Sequence, residues 1–343
     1  MIRFCNDYSE GCHPLILQAM ADANLEGNPG YSTDPHTQMA AQRIRTACQR
    51  PDAAVHILVS GTQTNTTAIA AFLWPWQAVI SADTGHICVH ETGAIEATGH
   101  KCIACPNVDG KLTPEAVCAV MQAHHDGTEE HMVQPAMVYI SQTTELGTLY
   151  TLSELEALRR VCDHYGLILY LDGARMGSAL AAGGPTLPQI AALVDAFYIG
   201  GTKNGALMGE ALVLCKESLK KDFRFAIKQR GGMFAKGWML GVQFEVLMEN
   251  DLFVQLGRHA NQMALRLRDG IAALGYRFTN HSDTNQQFVI LPDGVVSALA
   301  ESFGFEVQSK PDDRHTVIRL VTSWATQPES VDAFLSALKA LTV

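Results

Sequence analysis

Between residues 54 and 215, short apolar runs alternate with longer segments whose apolar residues recur every three to four positions, and glycine, serine, threonine or aspartate marks each switch. The runs at 54–59, 78–81, 136–140, 167–172, 196–200 and 210–215 read as strands. Helical spacing fills 66–72, 114–125 and 153–165, the last with Ser153 and Glu156 at capping-box positions and Gly166 as its stop. Strand and helix in strict alternation predict an α/β fold with a mostly parallel sheet of the seven-stranded type, covered by helices on both faces.

The flanks read differently. A helix over 14–23 is followed by a loop at 27–35 too rich in turn formers to be regular. Segment 101–113 suggests a short β pair turning at Asp109-Gly110, and 124–131 an exposed loop. Long helical runs at 236–249 and 252–274 precede short strands at 288–291 and 316–322, with helices near 294–303 and 327–341. This pattern predicts a large domain over 1–245, N-terminal segment included, and a small C-terminal α+β domain over 246–343.

Composition narrows the class. With 343 residues, 47% of them hydrophobic and 17% charged, the chain can bury an ordinary globular core. A formal charge of −10, with a basic stretch only at 216–230, argues against nucleic acid and anionic membrane partners. Nine scattered cysteines, an odd number, suit reduced thiols in a cytoplasmic enzyme better than a disulfide framework. Cys102 and Cys105 form a C-x-x-C with no second pair at zinc spacing, so no metal site is expected. The opening MIRFCNDYSEG lacks the basic and apolar regions of a signal peptide, and no apolar run reaches membrane-spanning length.

The chemistry is read at strand ends, where open α/β sheets bind ligands. The run 196–200 ends in Gly201-Thr202-Lys203, which holds a lysine at a strand tip; the run 167–172 ends in Asp172-Gly173-Ala174-Arg175. A desolvated lysine amine can condense with an aldehyde, and an aspartate beyond the preceding strand can keep a pyridine nitrogen protonated. That ordered pair is what a pyridoxal phosphate (PLP) site requires. Ser60-Gly61-Thr62, between a strand and a helix, can cradle a phosphate or simply cap the helix. His86 and Thr143 also fall at strand ends, whereas His90 reads as structural. Tyr31, in the turn-rich loop, either serves a site or packs. Arg319 interrupts an apolar strand and needs an anion, either a substrate carboxylate or an internal acid.

Together S-G-T-Q-T-N at 60–65, His86 with E-T-G-A at 91–94, L-D-G-A-R at 171–175, Thr202-Lys203, G-G-M at 231–233, T-N at 284–285 and I-R-L-V-T at 318–322 resemble the low-specificity threonine aldolases. These belong with the aromatic amino acid β-eliminating lyases among the fold-type-I PLP enzymes, whose architecture is that of aspartate aminotransferase. The resemblance implies that Lys203 carries the cofactor, Asp172 pairs with the pyridine nitrogen, His86 stacks on the ring and Ser60, Gly61 and Thr62 hold the phosphate. It implies that Arg175 and Arg319 serve the cofactor side and the substrate carboxylate, and that Asn6 and Asn285 border the substrate. It also implies a homodimer or homotetramer, with the Tyr31 loop and the Gly231 region as crossing contacts. Two positions depart from the family pattern. Thr144 stands where a substrate-holding histidine is common, and Phe234 where an arginine is, with Lys236 near enough to replace it as a phosphate ligand. The expected reaction is retro-aldol cleavage of a threonine-like amino acid with His86, or a water it positions, as base. β-Elimination and a non-catalytic binding role remain as alternatives.

Overall fold

The structure, a computed structural model, describes residues 1–125 and 127–342. Strand β1 (Ile2–Arg3) opens the chain, and the main sheet is built from β2 (Ala54–Leu58), β3 (Gln77–Ala82), β4 (Lys101–Cys105), β5 (Gln134–Ser141), β6 (Ile168–Asp172), β7 (Ala196–Gly200) and β8 (Glu210–Leu214). Their order across the sheet is β2-β8-β7-β6-β5-β3-β4, and only β8 runs against its neighbours. Alternation along β7 explains why both faces need cover. Phe197 and Ile199 join one core with Ile44, Leu155 and Leu240, while Ala196 and Tyr198 join another with Ile69, Phe223 and Ile227.

The register brings the chemistry to one edge. Ser141 pairs with Asp172, and Glu210 pairs with Gly200 on one side and Leu58 on the other. The turn after Asp172 is possible only without a side chain, because a Cβ on Gly173 would meet the Tyr198 carbonyl oxygen at 1.9 Å.

A second layer contains β9 (Arg277–Phe278), β10 (Gln286–Pro292), β12 (Glu306–Asp312) and β13 (His315–Val321), an antiparallel sheet in the order β12-β13-β10-β9. Helices Leu252–Ala273 and Pro328–Leu341 pack on it around Phe334, Leu267 and Ile318. Strand β11 (Phe303–Gly304) pairs in parallel with β1, and Phe4 packs edge-on against Phe334. The first residues of the chain therefore sit in the C-terminal layer rather than with the large sheet.

Several local expectations are corrected. Lys101–Cys105 is the parallel edge strand of the main sheet; only the turn at Asp109-Gly110, closing a bridge between Val108 and Lys111, keeps the hairpin form. Thr151 and Glu154, not Ser153 and Glu156, form the capping box of helix Leu152–Tyr165, the earlier of two overlapping frames. Helix Pro35–Ala47, capped by Asp34, had no hydrophobic signature because its buried face is mainly Thr37, Ala40 and Ala41. Strand β12 is exposed throughout, so no alternation marks it. Of the loop expected over 124–131, residue 126 lies outside the described residues, and Glu129–His131 forms a short 3-10 turn.

Candidate active site

The strand ends open into a cavity of about 550 Å³. Its walls bring together Ser60, Gly61, Thr62, His86, Asp172, Arg175, Lys203 and Arg319, eight residues singled out from sequence. Lys203 and Asp172, 31 positions apart in the chain, share this one space.

Asp172 ends β6 with each carboxylate oxygen accepting twice. Oδ2 takes Tyr139 Oη at 2.6 Å and Asn65 Nδ2 at 3.1 Å; Oδ1 takes the Tyr198 hydroxyl and the Ala174 N–H. Burial and the Asp172 charge push the Tyr139 and Tyr198 hydroxyls well above the ordinary tyrosine range, so both remain donors. The Asn65 amide also reaches Glu91 Oε1 at 2.8 Å, and the same oxygen lies 2.8 Å from His86 Nδ1. One hydrogen-bonded network thus fixes both the carboxylate and the imidazole. Burial alone would lower the His86 pKa, but the Glu91 hydrogen bond and the charges of Glu145 and Asp172 outweigh it and the net shift is upward.

Lys203 makes no hydrogen bond or ion pair among the described residues. Desolvation and the Arg175 charge lower its pKa, against the pull of Asp7, Glu145 and Asp172. Glu210 stands beside it at the start of β8. Burial, opposed by Thr202 and Lys203, raises its pKa to about 8, and its Oε2 has no partner. At the far wall, helix Gly61–Phe72 begins at Ser60, whose Oγ accepts from Gln63 N–H. The N–H groups of Gly61 and Thr62, in its first turn, have no intrahelical acceptor.

An unpartnered amine, a carboxylate held from behind and an open helix N-terminus fit a planar aldehyde carrying a ring nitrogen and a phosphate. Lys203, Asp172 and Ser60-Gly61-Thr62 are the groups that would hold them.

Both arginines already have acid partners. Arg175 forms a buried bidentate pair with Asp7, Nε to Oδ2 at 2.7 Å and Nη2 to Oδ1 at 3.2 Å. Arg319 is bonded through Nη2 to Glu306, and its buried Nε has no partner.

Six expected residues stand apart from the cavity, each for a visible reason. Asn6 Oδ1 accepts from Tyr8 N–H and Ser9 Oγ in a local turn, and Tyr8 takes the wall position instead. Asn285 Nδ2 donates to Asp7 Oδ2 and the Thr322 carbonyl, so it supports the Asp7–Arg175 pair from behind. Thr143 Oγ1 donates to the Thr144 carbonyl, and Thr144 Oγ1 is bound to Thr148 Oγ1 at 2.7 Å. Tyr31 and Lys236 line a separate surface cavity, with the Lys228 ammonium 4.7 Å from the Tyr31 ring centre.

The cavity also recruits residues the sequence did not single out. His90, read as structural, lines it with its ring 5.5 Å from that of His86. Glu145 and Glu210 had a faint signal, each being the lone acid in a neutral strand-end segment. Tyr8 and Glu306 had none.

Comparison with known proteins agrees with this geometry. A family model described as "Beta-eliminating lyase" matches residues 7–293. A low specificity L-threonine aldolase from Pseudomonas aeruginosa is 31% identical over 302 residues, 87% of this chain and 86% of the relative. A Leishmania major threonine aldolase structure superposes with a TM-score of 0.97 at 46% identity over the whole of both chains. A Thermus thermophilus aspartate aminotransferase, 16% identical, superposes with a TM-score of 0.72 over 99% of this chain and 91% of its own, a likeness of fold alone. The family model spans most of the chain and the Pseudomonas aeruginosa relative exceeds 30% identity over 87% of it, so the chain belongs to the β-eliminating lyase family.

Proposed function

We propose that this protein is a PLP-dependent aldehyde-lyase that cleaves the Cα–Cβ bond of threonine or a similar β-hydroxy-α-amino acid, giving glycine and an aldehyde. The observation that carries this reading is the free Lys203 amine in the same cavity as the fourfold-bonded Asp172. The 46% identity to a threonine aldolase selects the reaction within the family.

When bound, the cofactor supplies an electron-withdrawing ring that stabilises the electron pair left on Cα. The protein's groups do the rest. Lys203, its pKa lowered by burial and the Arg175 charge, is the nucleophile and proton carrier at Nζ. Asp172, its carboxylate kept from rotating by Tyr139, Tyr198 and Asn65, would pair with the ring nitrogen. His86, anchored by Glu91, provides a flat wall for the ring. Ser60, Gly61 and Thr62 receive the phosphate at the positive end of the helix. Arg319, whose buried Nε lacks a partner, would receive the substrate carboxylate in place of Glu306.

We further read the protein as a cytoplasmic homodimer or homotetramer. Tyr31 and Lys236, remote from the cavity of their own chain, then face the site of a second copy, with Lys236 on its phosphate; this would explain a half-exposed tyrosine and a partly exposed Met239 on that surface. No helix of the described residues is long and apolar enough to cross a membrane.

The test is a substrate panel on purified protein supplied with PLP. Threonine, allo-threonine or phenylserine should yield glycine and the matching aldehyde in equal amounts. Pyruvate and ammonia from serine, with no aldehyde from any β-hydroxy substrate, would replace the aldolase reading by β-elimination.

A further inference from the structure

We propose that Glu145 accepts the proton of the substrate's β-hydroxyl, an assignment that rests on the aldolase reading above. Cleavage cannot proceed while that proton stays in place. The O–H electron pair must become the second bond of the aldehyde carbonyl as the Cα–Cβ pair remains with Cα. The hydroxyl proton passes to the carboxylate, the aldehyde departs, and Cα later takes a proton to become glycine, so atoms and charge balance within the site.

The cavity offers few free acceptors. Both oxygens of Asp172 are filled, and the acids opposite Arg175 and Arg319 are paired. His86 is tied through Nδ1 to Glu91, which commits that ring nitrogen. Glu210 also has an unpartnered Oε2, but burial raises its pKa to about 8, so it holds its own proton near neutrality. Glu145 differs from all of these. It lines the cavity, is half-buried, and its carboxylate has no hydrogen bond or ion pair among the described residues. Its charge reaches His86, Arg175 and Lys203, which places it centrally among the reacting groups.

The loop that carries Glu145 is held on both sides, as an acceptor's support must be. Thr144 Oγ1 bonds to Thr148 Oγ1 at 2.7 Å and accepts from the N–H groups of Leu146 and Thr148. Thr148 Oγ1 donates to the Asp109 carbonyl at 2.6 Å, and Asn280 Nδ2 donates to the Leu146 carbonyl at 2.7 Å. Thr144 thus braces the turn that carries its neighbour at the cavity wall.

The test uses the PLP-loaded enzyme. Glu145→Gln should lower kcat for threonine cleavage by about 10²–10³-fold, with the cofactor's visible absorbance unchanged. Exchange of the glycine Cα hydrogen in deuterated water breaks no carbon–carbon bond and needs no hydroxyl acceptor, so the variant should keep it within about threefold of wild type. Glu145→Asp should restore part of the cleavage rate. The assignment is overturned if Glu145→Gln cleaves threonine within about threefold of wild type, if exchange and cleavage fall together, or if His90→Asn shows the selective loss instead. A wild type that releases no aldehyde would remove the aldolase reading itself, whereas a wild type that does and a Glu145→Gln that matches it would remove only this assignment.

Discussion

At the scale of single residues, the site depends on charges kept in unusual states. Glu210 is the sharpest case, a nearly inaccessible carboxyl beside Lys203 whose pKa is raised from 4.5 to about 8. The folded protein therefore holds a proton that the unfolded chain has released. Its contribution to stability is complete below the unfolded value and declines as pH rises from about 4.5 to about 8. Glu210→Gln keeps the shape without the titration, so thermal melts should show it gaining on the wild type as pH increases, on the order of a few kcal/mol at the upper end. An equal difference at pH 5 and pH 8 would refute this. Sequence made the strand-end residues legible, because Lys203, Asp172, Gly61 and His86 each follow an apolar run at a glycine- or hydroxyl-rich switch. Tyr8 and Glu306 were illegible because their place depends on how remote segments fold back over the sheet, and Glu145 was passed over for Thr144 because only the turn itself shows that the threonine hydroxyl is buried against Thr148 while the glutamate lines the cavity.

At the scale of elements, the distance between the Asp172 and Lys203 turns depends on side chains that are missing. With a Cβ at Gly173 meeting the Tyr198 carbonyl at 1.9 Å and one at Gly200 meeting the Ala174 carbonyl at 2.5 Å, neither turn can carry a larger residue without moving backbone. Gly173→Ala should therefore destabilise the fold by about 3 kcal/mol or more and weaken cofactor retention, as read by thermal melt and by absorbance after dialysis. A variant with wild-type melting and retention would show that the turns have slack. The same close packing explains which elements could be read ahead. Strands β5 to β8 are buried on both faces and are written almost wholly in apolar residues, whereas helix Pro35–Ala47 hides a face of threonine and alanine and strand β12 hides none.

At the scale of the whole molecule, two layers meet over one cavity. The large sheet supplies Lys203, Asp172 and the Ser60-Gly61-Thr62 turn, and the antiparallel sheet supplies Arg319 and Glu306. The N-terminal strap joins them, β1 pairing with β11 while Asp7 is held by Arg175 and Asn285. We propose that the division near residue 245 follows these two sheets, with the strap belonging to the second. The alternation of strand and helix was enough to anticipate the large sheet, but not the strap, whose pairing with residues 303–304 has no local signal. Everything rests on an amine and a carboxylate from neighbouring strands gripping one ring. Borohydride reduction of the protein incubated with PLP, followed by peptide mapping, tests that directly: the account predicts a single pyridoxyl group on Lys203, greatly reduced in Asp172→Ala, and labelling of a different lysine, or of none, would contradict it.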